Sequence, residues 1–308
     1  MTKPDCIFVD DEGMGGYDSW RLHVASSQNA MKRRRPGETL DSLAYRMADA
    51  LLAQWSQCLH SKADFPGGPP RIFFYEMGPA PDAIMNKNGF TGTPSPYGPV
   101  HHLSMYADWL KVRKQAMLNS GKGRQFLPWI TGGTYGDMSS SAVLDGMLHS
   151  YGVGATGFAF FSAADFDDGG KILAMSTATA LAAPFEDYFL QGSTLTSADV
   201  DESQSENVLA WSGMKYEQQG GSGVRLWVVI TPSKPGRQTT LHFTIKGLAT
   251  TACDLVGGVA MSLSKAPKTV RFEKSLNSSA VLHIAKGASS GPGCDKSQPI
   301  AKNMWWPE

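Results

Sequence analysis

Four times in the N-terminal part of the chain a short apolar run stops at a polar turn and gives way to a segment with helical spacing. This alternation constrains the fold more than any other feature. Cys6-Ile7-Phe8-Val9 ends in Asp10-Asp11-Glu12-Gly13, and the segment opening at Glu38-Thr39-Leu40-Asp41 then carries Leu43, Met47, Leu51, Leu52, Trp55 and Leu59 at helical spacing. Arg71 to Glu76 repeats the strand pattern, and a long Pro/Gly-rich loop leads to a helix over Tyr106 to Leu118. Gln125 to Ile130 is the third strand, with Pro128 an awkward fit, and Ser141 to Tyr151 is its helix. Gly157 to Ser162 is the fourth, followed by acids at Asp165, Asp167 and Asp168 and by a helix over Lys171 to Leu181.

Strands alternating with helices make a parallel sheet, because parallel neighbours need crossover connections. Four such units are half of an eightfold barrel, and a half-barrel alone leaves two long edges open. The expectation is therefore that the preceding half lies upstream of Met1, with an open four-stranded sheet as the alternative. From Val208 the texture changes. Val208 to Trp211, Val224 to Ile230, Thr240 to Ile245, Ala252 to Leu255, Thr269 to Phe272 and Ala280 to Ile284 are short β-rich runs separated by turn residues. They predict an antiparallel sandwich. The expected fold class is α/β plus β: the C-terminal half of a (β/α)8 barrel over residues 1–195, a β-sandwich over 196–288 and a tail over 289–308.

Lys plus Arg equals Asp plus Glu at 28 each, so no overall field favours nucleic acid or an anionic membrane. The one strong charge cluster, Lys32-Arg33-Arg34-Arg35 before Pro36-Gly37, reads as a solvated loop. No apolar run approaches the roughly 20 residues needed to span a bilayer. Cys6, Cys58, Cys253 and Cys294 form no CxxC pair, which points to neither a zinc site nor a dense disulfide framework and leaves the redox compartment open. Asn277-Ser278-Ser279 is a glycosylation triplet only if the chain is exported, and an extracellular or lysosome-like address would need a leader upstream of Met1.

In a β/α barrel the C-terminal strand ends share one opening, so polar residues just after the apolar runs converge whatever their separation in sequence. The candidates are Asp10, Asp11 and Glu12, then Glu76, then Thr134, Tyr135 and Asp137, and lastly Asp165, Asp167 and Asp168. Strand alternation groups Asp10 with Glu12 on one side. Glycosidic hydrolysis needs a carboxylic acid for the leaving oxygen and a second carboxylate, about 5 Å away in retaining enzymes and about 6.5–9.5 Å in inverting ones. Glu12 and Glu76 on neighbouring strands suit either spacing. Trp20, Tyr75, Trp129, Tyr135, Phe161 and Phe166 lie at or beyond strand ends, where flat rings would cover pyranose faces. His101-His102 offers a metal or acid/base pair without a matching acidic spacing, and the aspartates from 165 to 168 lack the spacing of a calcium loop, so a solvated turn is their default.

Ile7 to Glu12, Phe73 to Glu76, Leu127 to Tyr135 and Gly157 to Ser162, followed by the β-rich region, together resemble a barrel-type glycoside hydrolase with a C-terminal β-sandwich. The Asp10-x-Glu12 pair is similar to the acidic strand end of chitinase-like barrels, whereas Gly132-Gly133 closes the third strand where many such hydrolases carry Glu. The resemblance implies O-glycosyl hydrolysis with Glu12 as acid/base, Glu76 as partner carboxylate and Asp10 in support. Asp11, Trp20, Tyr75, Trp129, Thr134, Tyr135, Asp137 and Asp165 would contact substrate. It implies a carbohydrate partner, no nucleic acid or membrane partner, no cofactor and no metal. Two alternatives stay open: a carbohydrate-binding protein without turnover, and a metal-dependent hydrolase using Asp10, Glu12 and His101.

Overall fold

A computed structural model describes residues 6–9, 17–62, 71–76, 84, 87–94, 106–108, 110–112, 114–115, 126–132, 138–161, 166, 168–217, 223–266, 269–288 and 294. Its backbone divides into two compact units. The first comprises Met1–Pro96, Val112–Trp129 and Gly157–Ala159; the second comprises Tyr97–Lys111, Ile130–Thr156 and Phe160–Glu308.

In the first unit β1 (Cys6–Val9) is followed by helices α1 (Tyr17–Ser26), α2 (Gln28–Lys32) and α3 (Leu40–Lys62), then by β2 (Arg71–Glu76) and β3 (Phe90–Pro94). The strands form a parallel sheet in the order β1-β2-β3. The region between the first strand and Glu38 was expected to be loop, yet it holds α1 and α2. Both are short, and α2 is fixed at its start by Ser27, whose hydroxyl accepts from the Ala30 N–H at 3.2 Å. Val24, Ala30, Leu43 and Ala44 form a small core that Trp20, Leu40 and Met47 cover. β3 was also read as loop. Gly92 and Pro94 weaken its strand signal, but Pro94 is its last residue and β3 pairs on one side only among the described residues.

The third expected strand shrinks to β4 (Trp129–Thr131), which joins β5 (Ala159–Phe161) in a separate two-stranded sheet. Pro128 has no N–H to extend the ladder backwards, although its carbonyl accepts from the Ala159 N–H at 3.2 Å. Among the described residues the strands do not close into a ring.

The second unit carries α4 (Ser140–Gly152), α5 (Gly169–Ala182), a 3-10 turn (Ala183–Phe185) and α6 (Glu186–Gln191). Ser139 caps α4 and Asp168 caps α5, each side chain accepting a backbone N–H. Ten strands follow: β6 (Ser193–Thr194), β7 (Val200–Glu206), β8 (Val208–Glu217), β9 (Val224–Pro232), β10 (Arg237–Phe243), β11 (Thr251–Asp254), β12 (Val259–Ser262), β13 (Ser264–Ala266), β14 (Thr269–Leu276) and β15 (Ala280–Ile284). They build two antiparallel sheets, β13-β14-β10-β7 and β12-β11-β15-β9-β8-β6. Leu226, Val228, Ile230 and Leu282 of one sheet share a single buried core with Leu241, Phe243, Val270 and Phe272 of the other. Each such side chain contributes about 1.5–3 kcal/mol by leaving water.

Both faces of the larger sheet are covered. β15 is buried at every position, and α4 and α6 pack on β8, with α4 also on β9. Gly152 lets α4 come this close, because a Cβ there would overlap the Ser212 hydroxyl. A disulfide joins Cys253 on β11 to Cys294, with Cα atoms 5.7 Å apart.

Candidate active site

The parallel sheet of the first unit has one carboxyl edge, and β2 is its central strand. β1 and β2 run in register from Cys6↔Arg71 to Val9↔Phe74, while β2 and β3 pair from Ile72↔Phe90 to Glu76↔Pro94. Glu76 is therefore the last residue of the strand with a neighbour on each side, and Tyr75, paired with Thr93, precedes it. The two strands flanking an acid in that position run parallel to its own, so their polar C-terminal continuations start from the same edge. Asp10, Asp11, Glu12, Thr134, Tyr135, Asp137 and Asp165 lie outside the described residues, as do His101, His102 and Asp167.

Several expected site residues have definite structural partners. Trp20 is half-buried between α1 and α3, and its indole N–H donates to the Ala44 carbonyl at 2.9 Å. Trp129, also half-buried, opens β4. Phe166 is buried and packs edge-on against Phe160, with ring centroids 5.5 Å apart. Asp168 accepts from the Gly170 N–H at 2.8 Å, which makes it a helix cap where a solvated turn was expected. Among the described residues, no three His, Cys, Asp or Glu side chains converge as metal ligands. No described helix is long and apolar enough to cross a membrane.

Sequence reasoning missed two groups in the second unit. The first lines a cleft of about 260 Å³. There the Lys111 ammonium lies 3.9 Å from the Trp211 ring centroid and 3.2 Å from Asp108, and the Trp211 indole N–H donates to Glu202 at 2.8 Å. A bulge in β8 between Val208 and Ala210 leaves Leu209 exposed beside it.

The second group is a buried chain of hydrogen bonds between α4 and the larger sheet. Ser279 donates its hydroxyl proton to Asp145 at 2.6 Å. With that proton committed, Thr231 must be the donor in its 2.6 Å bond to Ser279, and so must accept from His149 Nε2–H at 2.9 Å. This order makes His149 the Nε2–H tautomer, and the Ser212 hydroxyl shares its proton between His149 Nδ1 at 2.9 Å and the His149 carbonyl at 3.3 Å. Burial, with a smaller contribution from the Lys111 charge, holds the imidazole down at about 3, so it is neutral. Burial pushes the Asp145 carboxyl up to about 6, against the lowering effect of the Ser279 bond. Asp145 and His149 sit four residues apart on one helix face, a spacing readable in the sequence. Their sheet partners lie 63 to 134 residues away from the groups they bond.

No protein-family model matches the sequence, and no curated protein does. Among solved structures, a Bacteroides fragilis protein described as a candidate α-galactosidase/melibiase aligns over 91% of this chain and 61% of its own, at 8% identity and a TM-score of 0.52. An α-amylase from Geobacillus thermoleovorans, solved with acarbose, aligns over 77% of this chain and 57% of its own, at 9% identity and a TM-score of 0.50. The chain thus spans about three-fifths of the length of these structures. Over most of its length it shares its fold with these glycoside hydrolases.

Proposed function

We propose that the protein is a glycoside hydrolase-like enzyme that cleaves O-glycosidic bonds with two carboxylates. One observation carries this reading: β1 and β2 are parallel and in register, so the chain leaves β1 after Val9 at the edge where β2 ends in Glu76, and the next residues in sequence are Asp10, Asp11 and Glu12. In the proposal Glu12 protonates the leaving oxygen, and Glu76 either attacks the anomeric carbon or activates water. Asp10 separates their proton affinities, since close like charges cannot all ionise at one pH. Tyr75, Trp129 and Tyr135 would supply ring faces, and Asp11, Thr134, Asp137 and Asp165 would hydrogen-bond sugar hydroxyls.

The proposed architecture is part of a (β/α)8 barrel over residues 1–195 with an antiparallel β-sandwich over 196–288. The glycosidase fold and the acarbose bound by the α-amylase neighbour favour a carbohydrate substrate. The test is turnover of nitrophenyl α-glucoside and α-galactoside by the wild-type chain, Glu12→Gln and Glu76→Gln. Each substitution is expected to cut kcat by about 10²–10⁴. Unchanged turnover in both variants would refute the assignment, and sugar binding without turnover in the wild type would replace it with a lectin-like role.

A further inference from the structure

The chain is neutral as a whole, yet Lys32 at the end of α2 and Arg33, Arg34 and Arg35 just after it stand together and exposed. The segment has a fixed scaffold. Arg33 and Arg34 close α2 by donating their N–H groups to Ala30 and Met31. Arg35-Pro36-Gly37-Glu38 then forms a β-turn, with the Glu38 N–H donating to the Arg35 carbonyl at 3.1 Å. Pro in its second place and Gly37 at φ 75° in its third are the requirements of a type II turn.

Every acid of the segment is already committed. Glu38 takes both Arg46 Nε at 2.8 Å and Arg46 Nη2 at 2.9 Å, and its second oxygen also accepts the Arg35 N–H. The Arg46 hydrogen bond and then the Arg35 N–H hold the Glu38 carboxyl down at about 2, so it stays ionised and balances Arg46. Asp41 is paired with Arg21 at 2.5 Å. Arg34 donates from Nε to the Glu38 carbonyl, a neutral acceptor that leaves its charge uncompensated. Among the described residues none of the four cations has an ion-pair partner.

From this cluster we infer a docking surface for an anionic polysaccharide, one carrying carboxylate or sulfate ester groups. Guanidinium forks match both groups with paired hydrogen bonds, and the braced turn presents them with little ordering cost. Nucleic acid fits less well. No aromatic residue occurs between Ser27 and Thr39 to stack a base, and the balanced charge supplies no wider positive field. The choice of glycan among polyanions rests on the carbohydrate reading above.

The experiment measures binding to heparin and to polygalacturonate between about 50 and 200 mM salt. It uses the wild-type chain and Arg33→Ser/Arg35→Ser, which keeps the backbone bonds of both residues and the Arg34 contact. Binding that weakens steeply with salt and falls about tenfold or more in the variant, with an unchanged thermal melt, is the expected result. No binding at the lower salt, or equal binding by the variant, overturns the inference. Equal or tighter binding of single- or double-stranded DNA overturns the glycan assignment. Turnover of the neutral nitrophenyl glycosides, scored in parallel, reports on the hydrolase reading separately.

Discussion

His149 on α4 and Thr231 on β9 are joined by a hydrogen bond of 2.9 Å in which the imidazole is the donor, and this direction is dictated by Asp145 at the far end of the chain. A helix and a sheet are thereby coupled through a neutral buried histidine. Protonating it would turn Nδ1 into a second donor, facing the Ser212 hydroxyl that donates to it in the neutral form.

Two groups of this network contribute to the pH dependence of stability, beside His283, which burial holds down at about 4, and Glu38, held down at about 2. His149 has its folded pKa lowered to about 3 from 6.5, so its contribution is present above pH 6.5 and lost as pH falls towards 3. At full extent the loss is on the order of 3–5 kcal/mol. Asp145 is raised to about 6 from 3.8, so between those values it favours the folded state as pH falls and offsets part of the loss. Urea melts across that range should show a steeper acid loss in Asp145→Asn. His149→Gln should be weaker at neutral pH by about 1–3 kcal/mol and should lose less stability than the wild type on acidification. Parallel pH curves for wild type and His149→Gln would contradict this account.

Close approach of α4 to β8 gives a second test. An added Cβ at Gly152 would overlap Ser212 Oγ and lie 2.9 Å from Ser212 Cβ. Gly152→Ala should therefore cost about 1–3 kcal/mol even though alanine is the better helix former. Adding Ser212→Gly should recover part of that loss, so the double mutant would be less destabilised than the sum. Simple additivity in chemical denaturation would argue against steric coupling at this crossing.

How much of this was legible in the sequence depends on where each signal resides. The spans of β1, β2 and β15 coincide with the apolar runs that announce them, because a strand signal needs only local β-branched and aromatic residues. α3 was readable from its periodic Leu43, Met47 and Leu51. α1 and α2 were not, since their few apolar residues are spread thinly and α2 depends on the Ser27 cap. β12 and β13 were missed because each is short and lies among turn residues. The position of Glu76 as the last residue of β2 was readable from its apolar run. The Asp145 to His149 chain was hidden because Ser212, Thr231 and Ser279 acquire meaning only when the sheet brings them under α4.

The Cys253–Cys294 bridge ties β11 to a point 41 residues further on. Closing a loop of that length stabilises the fold by roughly 3–4 kcal/mol through the unfolded state. Reduction, or Cys294→Ser, is expected to lower the thermal midpoint by several degrees, about what a loss of that size implies for a chain this large. Peptide mapping without reductant should recover the segments around Cys253 and Cys294 as one cross-linked species. Recovering them separately from oxidised protein would contradict the bridge.

Trp20 separates a packing role from a sugar-binding one. Its indole is half-buried against the small core of Val24, Leu43 and Ala44, and its only N–H is spent on the Ala44 carbonyl. Trp20→Phe keeps most of the ring while removing that donor, and it leaves a carbonyl of α3 without its side-chain partner. The expected cost is about 0.5–1.5 kcal/mol in a denaturant melt. Sugar affinity and turnover should stay unchanged, because the ring face is committed to its helix neighbours. A role in substrate stacking predicts the reverse pattern: stability held and KM for the nitrophenyl glycosides raised, since a smaller ring covers less of the sugar.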